Sequence, residues 1–228
     1  MGKIQVLSRS EEAFADRREA GRLLGAALER FRAQRPVVLG IPRGGVVVAA
    51  EVADHLGAEL DIVLSRKIGA PGNPELAIGA IAEDGHPFLD DAIAARLGVS
   101  RGYIEREERH QLGEIARRVE VFRKVRPRIP LAGRVVIVVD DGLATGATMQ
   151  AALWAVRRDR PGSAIVAVPV AAEDTIERIA KSADELLCLR APWDFGAVGR
   201  FYDRFDQVED DEVLAILERH RAAKGVGA

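Results

Sequence analysis

The sequence is short of several features that would assign it quickly. It has a single cysteine, Cys188, so neither an intrachain disulfide nor a zinc site built from several thiolates can form. That usage fits a reducing compartment, and a cytoplasmic location is expected. No apolar run approaches the roughly 18 residues of a spanning helix. Residues 1–12 turn polar at Ser8 and lack the apolar core of a signal peptide. No membrane partner is expected. There is no excess of one charge, because 33 Lys and Arg stand against 35 Asp and Glu. This argues against a nucleic-acid partner, although a whole-chain sum can hide a local patch. Internal repeats and low-complexity segments are also missing. What the chain does have is 22 glycines in 228 residues, and some of these follow apolar runs.

The length fits one domain over residues 1–228 with a modest insertion. Residues 10–34 read as an amphipathic helix, with Phe14, Leu24, Leu28 and Phe31 near one face. Residues 36–41 (PVVLGI) form a buried strand, 46–56 a helix and 59–65 a second strand. The two prolines and two glycines of residues 68–76 predict a loop. Residues 77–82 predict a third strand, with 86–89 as a hairpin arm. A helical insertion occupies residues 90–130, its longer part dense in Glu and Arg. Residues 134–139 (RVVIVV) are the strongest strand signal. A helix over 145–158, a strand over 163–170, a helix over 173–182, a strand over 185–190 and a helix over 210–221 follow. Strands alternating with helices predict an α/β fold, a mainly parallel sheet covered by helices on both faces. Such sheets bind ligands at the carboxyl ends of their strands, so the loops after Ile41, Ser65 and Val139 are the places to look for chemistry.

The loop after Val139 is the most informative. Five apolar residues run into Asp140 and Asp141, and then into Gly142-Leu-Ala-Thr145-Gly146-Ala147-Thr148, which opens a helix. Free N–H groups and the dipole at a helix N-terminus attract an anion. Gly146 permits close backbone approach, and Thr145 and Thr148 add hydroxyl donors. The two acids would repel that anion if aimed at it. They suit sugar hydroxyls or a hydrated Mg²⁺. A phosphorylated sugar satisfies both halves. The patterns G-x-x-x-x-G-K-[ST] and G-x-G-x-x-G are both missing here.

At these residues the sequence resembles the type I phosphoribosyltransferase family, whose phosphoribosyl-pyrophosphate (PRPP) motif is an apolar run, two acids and T-G-x-T. The resemblance covers most of residues 34–190. It implies a PRPP-dependent pentosyltransferase of nucleotide metabolism, with Mg²⁺ carried in by PRPP and a nitrogenous base or other small amine as acceptor. It implies that Ala144, Thr145, Gly146, Ala147 and Thr148 hold the 5′-phosphate, and that Asp140 and Asp141 hold the ribose hydroxyls. Arg43, Gly44 and Gly45 match the loop that grips pyrophosphate. Lys67 matches a lysine that contacts pyrophosphate, and Arg66 is a weaker match. Residues 68–76 sit where the family carries a mobile loop that closes over the reacting centre.

The chain departs from the orotate-specific members, since Arg66-Lys67 is followed by Ile68-Gly69-Ala70-Pro71 rather than by an E-x-K-x-H-G run. No purine or uracil signature replaces it. In this family the base is read by a hood made of termini or insertions. Here the candidates are the N-terminal helix and the tail from residue 191 to 228, whose aromatic stretch Trp193–Tyr202 suits either base stacking or packing. A homodimer is compatible with the family and with the long charged helix. Two other readings stand beside transfer. One is a regulator that senses PRPP or a nucleotide on the same fold. The other is a metal hydrolase, which would need a third acid near Asp140.

Overall fold

The computed structural model describes residues 2–225. Six parallel strands form the main sheet: β1 (Lys3–Ser8), β2 (Val37–Gly40), β3 (Glu59–Ile62), β7 (Val135–Val139), β8 (Ser163–Val170) and β9 (Glu185–Arg190). Their spatial order is β1-β9-β8-β7-β2-β3. The order runs outward through β3 on one side of the β2–β7 pair and through β8 and β9 on the other. The crevice at the carboxyl ends of β2 and β7 is therefore the topological switch point, where sheets of this kind take their ligands.

Side chains alternate across the sheet. Val38, Ile137, Ile165 and Leu187 pack on one face, under α1 (Arg17–Ala27), α2 (Gly44–Leu56) and α7 (Asp210–Gly225). Val136, Val138, Val166 and Cys188 pack on the other, under α5 (Ala147–Arg158) and α6 (Glu173–Ile179). The α5 stripe Met149, Ala152, Leu153 and Val156 is core, as its helical spacing predicts. Cys188 is buried, and burial pushes its thiol up to about 12, which leaves it inert.

Several elements differ from the sequence-based expectation. The strand β1 has no counterpart in it. This is an edge strand paired with β9, and only Ile4 and Val6 pack inward. The first helix begins at Arg17 rather than Ser10, because Asp16 caps it by accepting the Glu19 N–H at 2.9 Å. Before the cap the chain is extended, with Phe14 bridging to Tyr202. Residues 68–76 are not a loop. They belong to a second, antiparallel sheet formed by β4 (Ser65–Ala70), β5 (Asn73–Ala82) and β6 (Pro87–Leu89). The turn at Pro71-Gly72 takes only two residues because Gly72 adopts φ 73°. The register shifts between Ile68 and Ala70 set Pro74 outside the ladder, so its missing N–H does no harm.

The insertion forms α3 (Asp91–Arg96) and α4 (Arg101–Val125). At one end of α4, Tyr103 donates to the Gly69 carbonyl at 3.0 Å. At the other, Arg123 is partly buried between Asp61 at 2.6 Å and Glu83 at 2.7 Å. In sequence, Glu83 and Asp84 beside Gly85 read as turn residues. They do lie in a turn, but Glu83 is also a buried partner of Arg123 and Arg128.

Candidate active site

The loops after β2 and β7 meet at the switch point, and glycine allows the meeting. A Cβ on Gly44 would lie 2.0 Å from Asp141 Oδ2, and one on Gly45 would lie 2.8 Å from Asp140 Oδ1. Both glycines belong to the first turn of α2, which starts two residues earlier than its apolar run suggests. The Pro42–Arg43 peptide between β2 and this turn is cis. On the other side, Gly146 takes φ 66° as the N-cap of α5, so the helix opens at Ala147 rather than at Thr145. The N–H groups of the first turn of α5 thus face the end of the sheet.

The acids are held by groups that sequence reasoning does not single out. Arg17 of α1 donates from Nε to Asp141 Oδ2 at 2.8 Å, and its guanidinium lies over the Phe205 ring at 3.9 Å. The Tyr202 hydroxyl donates to the Asp141 carbonyl at 2.6 Å. Asp140 Oδ1 accepts the Asp141 N–H at 2.9 Å. Each carboxylate keeps one oxygen without a donor among the described residues. Burial raises the Asp140 carboxyl well above the ordinary aspartate value, and the Asp141 charge adds to the rise. Burial raises Asp141 too, against the opposing hydrogen bond from Arg17. One signal for Arg17 is readable in the sequence. It lies four, seven and eleven residues before Gly21, Leu24 and Leu28, on the apolar stripe of its own helix.

The predicted cations converge on this edge by different routes. Lys67, on β4, pairs with Glu75 of β5 at 2.7 Å, and the other oxygen of Glu75 accepts from the Thr145 hydroxyl at 3.2 Å. The hairpin thereby sets a carboxylate on the turn proposed for phosphate. Arg43 is paired with Glu209 at 3.0 Å, just before α7. Arg66 donates to Gln111 of α4 at 2.9 Å and lines a cavity with Pro42 and Thr148. Ala144, Thr145, Gly146 and Ala147 line a larger cavity of about 680 Å³, walled by Trp154, Arg178 and Phe195. Within it Arg178 donates to the Thr145 carbonyl, and the Thr175 hydroxyl donates to the Ala144 carbonyl at 2.6 Å.

The aromatic stretch divides. Phe201 and Tyr202 are 2% and 5% exposed and pack the core, while Phe195 stacks on Phe201 at 5.5 Å and reaches the larger cavity. Trp193 is 75% exposed beneath the Arg9 guanidinium. His55 and His86 lie apart from these loops, while His110 contacts Gln111 at 3.2 Å. His55 meets Glu29 and His86 meets Asp84. No helix among the described residues is long and apolar enough to cross a membrane.

Comparison with known proteins agrees with this geometry. The family model described as the phosphoribosyl transferase domain matches residues 12–203. Two Mycobacterium tuberculosis proteins, provisionally named phosphoribosyl transferases, are 47% identical over 216 residues, which is 94% of this chain and 49% of theirs. The chain thus spans about half the length of these curated relatives. A Thermus thermophilus protein of known crystal structure shares 49% identity and a TM-score of 0.85, over 91% of this chain and 98% of that one. The chain belongs to the phosphoribosyl transferase domain family.

Proposed function

We propose that this protein transfers the phosphoribosyl group of PRPP to a nitrogenous base or other small amine, with release of pyrophosphate and with Mg²⁺ as the accompanying ion. One observation carries the reading. The two loops that would bind opposite ends of PRPP meet at the switch point, with Gly44 and Gly45 against the acid pair and the T-G-x-T turn opening α5 beside them.

In this mechanism the 5′-phosphate sits on the N–H groups and hydroxyls of Ala144 to Thr148, where the dipole of α5 favours it. Glu75 leaves Thr145 as that phosphate enters. The unpaired oxygens of Asp140 and Asp141 accept the ribose hydroxyls, while Arg17 and Tyr202 fix the loop that carries them. The acids also offset positive charge as the C1–O bond to pyrophosphate breaks and the C1–N bond forms. Lys67, Arg66 and the loop at Arg43 stabilise the departing diphosphate. Positioning and charge stabilisation supply the catalysis, and no covalent nucleophile is required.

No group of three or more His, Cys, Asp or Glu among the described residues could hold a metal by itself. The acid pair, with one open oxygen on each carboxylate, fits an ion that arrives on substrate phosphates, as Mg²⁺ commonly does. Mg²⁺ held this way would neutralise diphosphate charge.

The test is to incubate the protein with PRPP, Mg²⁺ and a panel of bases and amines, and to follow pyrophosphate. Acceptor-dependent release supports transfer. PRPP binding without release across a broad panel would overturn transfer in favour of the PRPP-sensing regulator on the same fold.

A further inference from the structure

Beside the switch point lies a cavity of about 180 Å³, walled by Ile41, Pro42, Ser65, Arg66, Arg118 and Thr148. At about 30 Å³ per water in the liquid, this is room for several waters or one compact anion. Most of its walls come from the segments that follow β2 and β3, the start of β4 and the start of α5. Arg118 comes from α4, the helical insertion, and its position there is not accidental. Gln111, Ile115 and Arg118 are spaced i, i+4, i+7 and form one stripe of that helix. Each has a separate role in the cavity. Gln111 accepts from Arg66 Nε at 2.9 Å and so holds that side chain in place. Ile115 is buried and closes the apolar wall. Arg118 brings a guanidinium.

The guanidinium of Arg118 is partly buried and makes no hydrogen bond or ion pair with any described residue. The charges that act on it are mostly like ones. Burial opposes its protonation most, Arg66, Arg117 and Arg43 add to that, and Asp210 alone among these charges supports it. Arg43 has Glu209 at 3.0 Å, but Arg66 and Arg118 face the partly dry cavity with no carboxylate among the described residues paired to either, which is costly. An anion in the cavity removes that cost. A guanidinium suits a diphosphate in particular, because its fork of N–H donors engages two phosphate oxygens at once.

We propose that Arg118 is a direct ligand of the diphosphate group, so that the helical insertion completes the pyrophosphate subsite. The proposal rests on the PRPP reading above and adds to it a residue from outside the recognised motifs. In this arrangement Arg66 and Arg118 grip the diphosphate from two sides, and Gln111 acts as a positioning residue for Arg66. The anchors at both ends of α4, Tyr103 on Gly69 and Arg123 on Asp61, fix the height of Arg118 over the cavity.

The test is calorimetric titration of inorganic pyrophosphate with Mg²⁺, and separately of ribose 5-phosphate, into the full chain. The variants are Arg118→Ala, Arg118→Lys and, as a neighbouring loss of charge, Arg117→Ala, each checked by thermal melting. Arg118→Ala should weaken pyrophosphate binding by roughly tenfold to a hundredfold, the scale of losing a charge-assisted hydrogen-bond pair. Arg118→Lys should recover part of this. Ribose 5-phosphate binding should not change in any variant, and Arg117→Ala should match the parent for both ligands. If Arg118→Ala binds pyrophosphate like the parent while the parent binds both ligands, the Arg118 assignment is wrong and the PRPP reading survives. If the parent binds neither ligand, both fall together.

Discussion

Arg123→Ala tests whether the insertion is built into the fold or merely rests on it. Arg123 lies at the far end of α4, with Asp61 Oδ1 at 2.6 Å, Glu83 Oε2 at 2.7 Å and the carbonyls of Ile62 and Arg126 at 3.0 and 3.1 Å. Burial works against its charge, but Asp61 and Glu83 outweigh that and raise the guanidinium further. Asp61 is 1% exposed. Removing one partner of a buried pair leaves an uncompensated charge, at about 3–5 kcal/mol. Two features place the cost at the lower end. Asp61 keeps the N–H groups of Ile62 at 2.8 Å and Ile129 at 2.9 Å, and Glu83 keeps Arg128 at 2.8 Å. About 3 kcal/mol corresponds to a fall in Tm of roughly 6–12 °C in a chain of this size. Differential scanning calorimetry measures it directly. Arg123→Met should lose less than Arg123→Ala, because its straight chain refills the apolar part of the site while Asp61 and Glu83 keep their other donors. A Tm for Arg123→Ala within about 2 °C of the parent, well short of that fall, would refute the reasoning. So would an Arg123→Met variant no more stable than Arg123→Ala.

Two further outcomes follow from the site. Asp140→Asn should lower kcat/KM by about 10²–10³, the scale of losing one preorganised charge-stabilising group, and yet raise Tm at neutral pH. The sign follows from the raised carboxyl: the folded chain binds more protons than the unfolded one above the ordinary aspartate value of about 3.9, so stability falls as pH rises from there through the folded value. The gain in Tm should shrink as pH is lowered toward about 4, and a variant less stable than the parent at neutral pH would contradict it. Glu75→Gln should tighten ribose 5-phosphate binding by about two- to fivefold, since it releases Thr145 and Lys67 from an exposed carboxylate contact of that modest worth. Unchanged or weaker binding in a fluorescence or calorimetric titration would show that Glu75 does not compete with the phosphate.

The chemistry of the two main loops could be read from the sequence because it depends on short-range patterns. An apolar run that ends in two acids and a glycine-threonine turn fixes strand, turn and helix within one short segment, residues 135–148. The approach of Gly44 and Gly45 to the acids could not be read this way. Nearly a hundred residues separate the two loops, and only the parallel pairing of β2 with β7 joins them. The misreading of residues 68–76 has a related cause. Glycine and proline punctuate loops, but here one positive-φ glycine makes a two-residue turn and a register shift absorbs the proline, so the same composition serves a hairpin.

Arg17 and Arg118 carry a signal that periodicity holds but composition hides. Each is an arginine on the apolar stripe of an amphipathic helix, Arg17 in line with Leu24 and Leu28, Arg118 in line with Ile115 and Phe122. A long cation on such a stripe can reach solvent along the helix surface, and that is its usual fate. It stays only where something receives its charge. For Arg17 the receiver is the carboxylate of Asp141 at 2.8 Å. For Arg118 there is a cavity, a set of other arginines and, among the described residues, no carboxylate within ion-pair distance. The same positional rule that explains the first arginine through a protein partner therefore points, for the second, to a partner that the chain does not supply. The charge balance of the whole chain conceals this. Near-equal numbers of acids and bases leave one acid pair beside a cluster of cations, which is the division a phosphorylated sugar with a diphosphate leaving group requires.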